Sequence, residues 1–213
     1  DATPFHPVDH TWPDQPGDAG AISGEDGSVR VTEALMAAVS DDGEFAVGSA
    51  IPVKRGTEGW TWLVAHRLED AAPAWLAEGT RVVLSVDEAH RAGLSRGHTA
   101  CHLASLALDL AVADLWRKDP GEDALGNPDF EGRANQSSRI HEDGAVDEYR
   151  IEVDGPTIVD RRRWHCDLPQ GEAVILCGGT HVRSLAAFAA ITVALELSDP
   201  QLLVMTTTAT PAS

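Results

Sequence analysis

Long apolar runs are absent from this chain. None reaches the ~18 residues that a membrane-spanning helix needs, and the sequence does not open with a charged stretch followed by an apolar one. A soluble, cytoplasmic protein is therefore expected. Cysteine is scarce too: Cys101, Cys166 and Cys177 are the only three, so they cannot all pair, and at 213 residues the core needs no disulfide framework. Metal ligation or plain burial is the expected role of each. Basic charge is equally thin, with 16 Lys and Arg against 34 Asp and Glu, a formal net charge of −18. That balance excludes a protein that wraps a polyanion such as DNA with its whole surface, because such binding draws its affinity from released counterions. Local basic patches remain at Arg161, Arg162 and Arg163, at Lys54 and Arg55, and at Arg91 and Arg96. Runs of this kind read first as solvated strand ends or loops.

What is present is globular: 43% hydrophobic and 23% charged residues, with six Trp carrying most of an aromatic load that includes one Tyr and four Phe. The chain is long enough for one ample core or two small domains. Residues 1–30 are rich in Pro, Gly and Asp, which favours turns and extended segments. From VRVTEAL through FAVGSAIPV, WTWLVAHRL and TRVVLSVDEA, short β-branched or aromatic runs alternate with Gly, Asp and Pro. This spacing predicts a small antiparallel β unit over residues 20–88. Apolar residues then recur at helical spacing without Pro, which predicts a long helix over residues 96–116. DEYRIEV (147–153), EAVILC (172–177), ITVALEL and QLLVMTTTA read as strands, and RSLAAFAAI as a short helix or a strand start. The expected fold is α+β: a small N-terminal antiparallel, β-barrel-like unit over residues 1–88, then an α+β domain over 89–213 with the long helix packed on an antiparallel sheet.

Within RGHTACHLASLAL, His98 and His102 stand four apart, so on a helix their rings project from one face a turn apart. In LCGGTHV, Cys177 and His181 are also four apart with Gly178 and Gly179 between them, and two glycines permit a tight reversal after a strand. One cysteine and three histidines make a donor set that suits zinc. His6 and His10 share the same spacing, but Pro7 and Pro13 disfavour a helix there, and the pair reads as a surface-loop coincidence. Cys101 lies off the His98 face and reads as a small buried hydrophobe. Cys166, after His165, reads as core, and Arg163 as a candidate phosphate contact. Asp18 is expected to cap its own turn.

RGHTACHL and CGGTHV resemble the two metal-site motifs of the alanyl-tRNA synthetase editing domain, shared with the threonyl-tRNA synthetase editing domain and the freestanding alanyl-tRNA editing proteins. TPFHP (3–7) and QPGDAG (15–20) resemble another conserved segment of that superfamily, and VDEAHRAGLSRGHTACHL the stretch leading into its helix. The resemblance spans residues 3–191. It implies a freestanding, trans-acting deacylase that hydrolyses the ester of a wrongly charged aminoacyl-tRNA, contacting the acceptor end, with zinc near the terminal adenosine. It implies His98, His102, Cys177 and His181 as the metal-ligating and catalytic positions, and Gln15 as a substrate contact. Thr99 and Thr180, beside the ligands, are candidates to touch substrate or support the site. The backbone N–H groups around Gly178, Gly179 and Thr180 are candidates to hold an oxyanion or the substrate amine.

Two departures stand out. VDHTWPD replaces the Gly-rich stretch before Gln15, and Ile175 occupies a position two before the cysteine that is often acidic. Both bear on which amino acid is cleared: a Ser-, Gly- or Thr-like side chain, or an unusual one such as fluorinated threonine. A zinc-dependent small-molecule esterase or amidase, and a non-catalytic zinc-stabilised binding module, stand as alternatives. The oligomeric state is open at this level.

Overall fold

The computed structural model describes residues 2–116, 119–150 and 163–213. The chain divides into two compact units, Asp1–Ala92 and Gly93–Ser213. Both are built from antiparallel strands, and one long helix dominates the α content. No helix among the described residues is long and apolar enough to cross a membrane.

The first unit holds strands β1 (Gly20–Gly24), β2 (Gly27–Ser40), β3 (Phe45–Val47), β4 (Trp60–Leu68) and β5 (Val83–Val86) in one sheet. β2 is its spine. One edge of β2 pairs with β1 and, further along, with β3; the other edge pairs with β4, and β5 pairs with β1. A register shift between Val31 and Glu33 breaks the strict alternation, which is why Val31 and Ala34, three apart, are both buried. Phe5, Ile22, Val31 and Ala34 form one core cluster, and Met36, Ala38, Ala46 and Ile51 another, lined by Trp60 and Trp62. Barrel-like closure was expected, but no closed barrel is found among the described residues: β3 and β5 are three and four residues long, and β4 pairs only with β2.

The segment before β1 is held against β2 by main-chain bonds, Val8 N–H to Ala34 O at 3.0 Å and Ala34 N–H to Asp18 O at 2.9 Å. Gly17 is required there, because a Cβ would overlap the carbonyl of Ala34. Asp18 does more than cap its own turn. Buried at 1% exposure, its carboxylate accepts from the His6 N–H and pairs with the Arg91 guanidinium, whose Nε lies 3.0 Å from Oδ1.

Helix α1 runs over Glu88–Val112, so it starts eight residues before and ends four residues before the predicted 96–116. The early start has a local cause: Asp87 accepts the His90 N–H at 3.0 Å as an N-cap. The second unit continues with α2 (Glu131–Ala134), β6 (Asn135–His141), β7 (Gly144–Arg150), β8 (Arg163–Leu168), β9 (Gly171–Leu176), β10 (Phe188–Asp199) and β11 (Leu202–Pro211). Four strands form a sheet in the order β10-β11-β7-β6, while β8 and β9 make a separate hairpin.

α1 serves both. Cys101, Ala104 and Leu108 face the four-stranded sheet, among Ile140, Ala145, Tyr149 and Met205; Leu103 and Leu106 face the hairpin, among Trp164, Cys166 and Ala173. Gly97 permits the close approach, since a Cβ would overlap the carbonyls of His141 and Gly144 at the β6–β7 turn. RSLAAFAAI resolves into a 3₁₀ turn, Leu185–Ala187, followed by the start of β10. The predicted strand 147–153 is observed through Arg150; residues 151–153, like Arg161 and Arg162, lie outside the described residues.

Candidate metal centre

The face of α1 turned to the hairpin carries the histidines. One donor atom from each of His98, His102, Cys177 and His181 lies within 4.8 Å of the others, and the group could hold a metal ion. Cys177 Sγ is 3.2 Å from His98 Nε2, and the ring centroids of His98 lie 4.9 Å from His102 and 4.6 Å from His181. His98 is 2% exposed. His102 Nε2 is buried with no hydrogen-bond partner among the described residues, which an isolated imidazole would not tolerate cheaply. Burial, reinforced by the neighbouring His181, pushes the His102 pKa down to about 3, so its imidazole is neutral and its lone pair available. A thiol and three imidazoles converging on one point, one of them with an orphaned buried nitrogen, fit a metal ion.

The loop that follows β9 is clamped onto α1. Val182 N–H donates to Thr99 Oγ1 at 3.1 Å, and Ser95 Oγ donates to Thr180 Oγ1 at 3.0 Å. Thr99 and Thr180 therefore orient the ligand-bearing segments toward one another. Ser95 was not singled out from sequence, although it is one turn before Thr99 on the same helical face. Gly179 N–H donates to Cys177 Sγ at 3.4 Å. That bond occupies the Gly179 N–H expected to serve an oxyanion. Gly178 lies between these two residues in the same loop.

Trp164 on β8 also went unnoticed. Its ring centroid lies 5.3 Å from both His102 and His181, with interplanar angles of 26° and 31°, and it closes one side of the group with an apolar wall. A Trp beside three Arg gives no local sign of this, because the contact depends on how the hairpin lies on α1. A cavity of about 360 Å³ adjoins the group, bordered by Thr99, Trp164, Cys166, Asp167, Val182 and Arg183. Cys166 is buried as expected, and burial raises its pKa.

The remaining candidates are placed elsewhere. Gln15 belongs to the first unit, where it is 3% exposed and its N–H donates to the Asp14 carboxylate at 2.8 Å. His6 and His10 share no helix, but His10 is not a surface residue: its ring lies 5.1 Å from Trp62 and its Nε2 3.1 Å from the Val53 carbonyl. Arg96 pairs with Asp143 and Arg91 with Asp18, so two of the candidate basic positions are ion-paired. Arg163 is exposed at the start of β8.

Cys101, Ser105 and Asp109 of α1 take part in a second polar centre. Asp109 accepts the Glu131 N–H at 2.9 Å, the Cys101 thiol donates to Asp147 at 3.4 Å, Ser105 meets the Tyr149 hydroxyl at 3.3 Å, and Asn135 Nδ2 donates to Glu131 at 3.0 Å. Burial, with added repulsion from Asp129 and Asp123, raises Asp109 to about 7. Burial and the carboxyls of Asp147 and Asp109 raise Glu131 to about 7. Asp147 and Tyr149 are shifted up as well, again by burial first. Cys101 is thus a buried thiol with a hydrogen-bonding role, rather than a hydrophobe alone.

Fold and site together define a protein of mixed α and β structure with a candidate four-donor metal centre in its second unit. Comparison with protein-family models and with curated proteins gives no match.

Proposed function

We propose that the second unit is a zinc-dependent hydrolase: a trans-acting, cytoplasmic aminoacyl-tRNA deacylase of the alanyl-tRNA editing type, whose domain adopts that superfamily's α+β editing fold. The observation that carries this reading is the convergence of RGHTACH on α1 and CGGTH after β9, with four donor atoms within 4.8 Å. His98, His102, Cys177 and His181 would hold the ion, and a thiolate with three imidazoles favours zinc over harder cations. A zinc ion there supplies Lewis acidity toward an ester carbonyl, and an aminoacyl ester is activated enough to need only modest help.

The chain's own residues do the rest. Ser95 and Thr99 fix the ligand loop, Trp164 excludes water from one side, and the cavity beside Thr99 and Arg183 receives the acyl end of the substrate. Contact with tRNA is confined to the acceptor end, consistent with a net charge of −18. The substrate amino acid is Ser-, Gly- or Thr-like, fluorinated threonine included.

A second reading is favoured by one feature: four protein donors can close a tetrahedral zinc site and leave no open position, as in a zinc-stabilised binding module. A panel of mischarged tRNAs separates the two. Hydrolysis of at least one aminoacyl-tRNA, lost in His102→Ala, supports the deacylase. A protein that contains zinc, unfolds when it is stripped, and turns over no aminoacyl-tRNA is the binding module. Hydrolysis of free aminoacyl esters alone would assign a small-molecule esterase.

A further inference from the structure

β10 is the outermost strand of its sheet, and only β11 pairs with it among the described residues. Its register is unbroken from Ala190 to Leu197, with irregularities only at the two ends. Edge strands of natural proteins are usually guarded by Lys, Pro, bulges or short length, since an open row of N–H and C=O groups templates further pairing. Residues 188–197, FAAITVALEL, contain no Lys, Arg or Pro, and one charged side chain, Glu196.

The side chains repeat the message. Val193, Leu195 and Leu197 pair with Thr207, Met205 and Leu203, so they share the face of the sheet on which Met205 and Thr207 are fully buried. Yet Val193, Leu195 and Leu197 are 46%, 54% and 59% exposed. The apolar row is continuous with the core and stops being covered at the edge strand.

We propose that β10 is the seam of a symmetric dimer, pairing antiparallel with β10 of a second copy so that two four-stranded sheets become one. The strand's self-complementarity selects this partner. A chain of net charge −18 is repelled by its own copy over most of its surface, and this strand is where a like-charged copy can approach. A two-fold axis perpendicular to the sheet pairs residues of the same face. Centred on Leu195 it sets Glu196 against Ala194 of the mate, and centred on Ala194 it sets Glu196 against Thr192. Neither register opposes two carboxylates, and both bring the Val193, Leu195 and Leu197 rows side by side. A cationic partner would find a single carboxylate on this edge.

Sedimentation velocity on the full chain tests the proposal. The wild-type protein should be a dimer with a Kd below about 10 μM. Leu195→Lys and Val193→Lys should each weaken it at least about tenfold, while melting as the parent does at a concentration low enough for all three to be monomeric, since both side chains are half exposed. Hydrogen exchange on the wild type provides a readout independent of the variants: amides of residues 190–197 that do not bond to β11 should gain protection as concentration rises. A chain that stays monomeric at about 100 μM, or a dimer indifferent to both lysines, overturns the proposal.

Discussion

Two polar centres lie along the same helix of the second unit, and they are built on opposite logic. Around His102, burial and the neighbouring His181 strip the proton from a base and leave a neutral imidazole aimed at the point where His98, Cys177 and His181 converge. Around Asp109 and Glu131, burial keeps protons on acids, and hydroxyl, thiol and amide partners bond them within the core. The same desolvation acts on both. Both centres leave buried polar atoms without a hydrogen-bond partner among the described residues, His102 Nε2 in the first and Glu131 Oε2 and Asn135 Oδ1 in the second. The outcome differs in geometry: the first brings four ligand atoms within 4.8 Å of one another, whereas the second spreads its hydrogen bonds over Asp109, Glu131, Asn135, Asp147 and Tyr149.

The sharpest break in that comparison comes from the ligands. On the proposed function, Cys177→Ser or His181→Ala should abolish stoichiometric metal, measured by elemental analysis, and reduce hydrolysis of aminoacyl-tRNA by about 10³-fold. Asp109→Asn should leave both unchanged. Next in size is Trp164→Ala, which removes the wall beside His102 and His181. It should cost about 3 kcal/mol in denaturant unfolding and weaken metal retention against a chelator. Unchanged retention would separate the wall from the site. Thr99→Val, which frees Val182 N–H, should weaken metal binding about tenfold with little effect on the fold, by competition with a chromophoric chelator.

The smallest effects are those of pH, and their signs oppose. Asp109 and Glu131 have folded pKa values raised to about 7, so the stability they contribute is present below their unfolded values near 4 and is lost as pH rises through 7. His102, lowered to about 3 from 6.5, contributes stability that is present above 6.5 and lost as pH falls toward 3. Metal-stripped protein should therefore melt highest between these limits. Asp109→Asn should raise stability at pH 8 relative to pH 5 by about 1 kcal/mol. A pH profile that Asp109→Asn leaves unaltered would remove the carboxyl centre from this account.

How much of this was legible in the chain follows from how local each signal is. The donor pairs were visible because H-x-x-x-H and C-x-x-x-H are i, i+4 patterns whose geometry a helix or a short loop imposes. The strands QLLVMTTTA and ITVALEL were visible through β-branched runs. β6, NQSSRIH, was not: it carries little alternation, and it is a strand because β7 pairs with it. β8, RWHCDL, does alternate polar and apolar residues, but over six residues beside a run of Arg, and its pairing with β9 is what establishes it. The start of α1 was misplaced for want of reading Asp87 as its cap. The partnership of Asp18 with Arg91, 73 residues apart, has no local trace at all.

The sequence by itself determined the donor types and their spacing on helix and loop. Those properties are set within a few residues of backbone. Only the tertiary structure decided that the two motifs meet, that Ser95 and Thr99 clamp the loop, that Trp164 walls it, and that burial raises the carboxyls of Asp109 and Glu131 to about 7. Each of these depends on burial and on contacts between distant segments, and burial is a property of the folded chain as a whole.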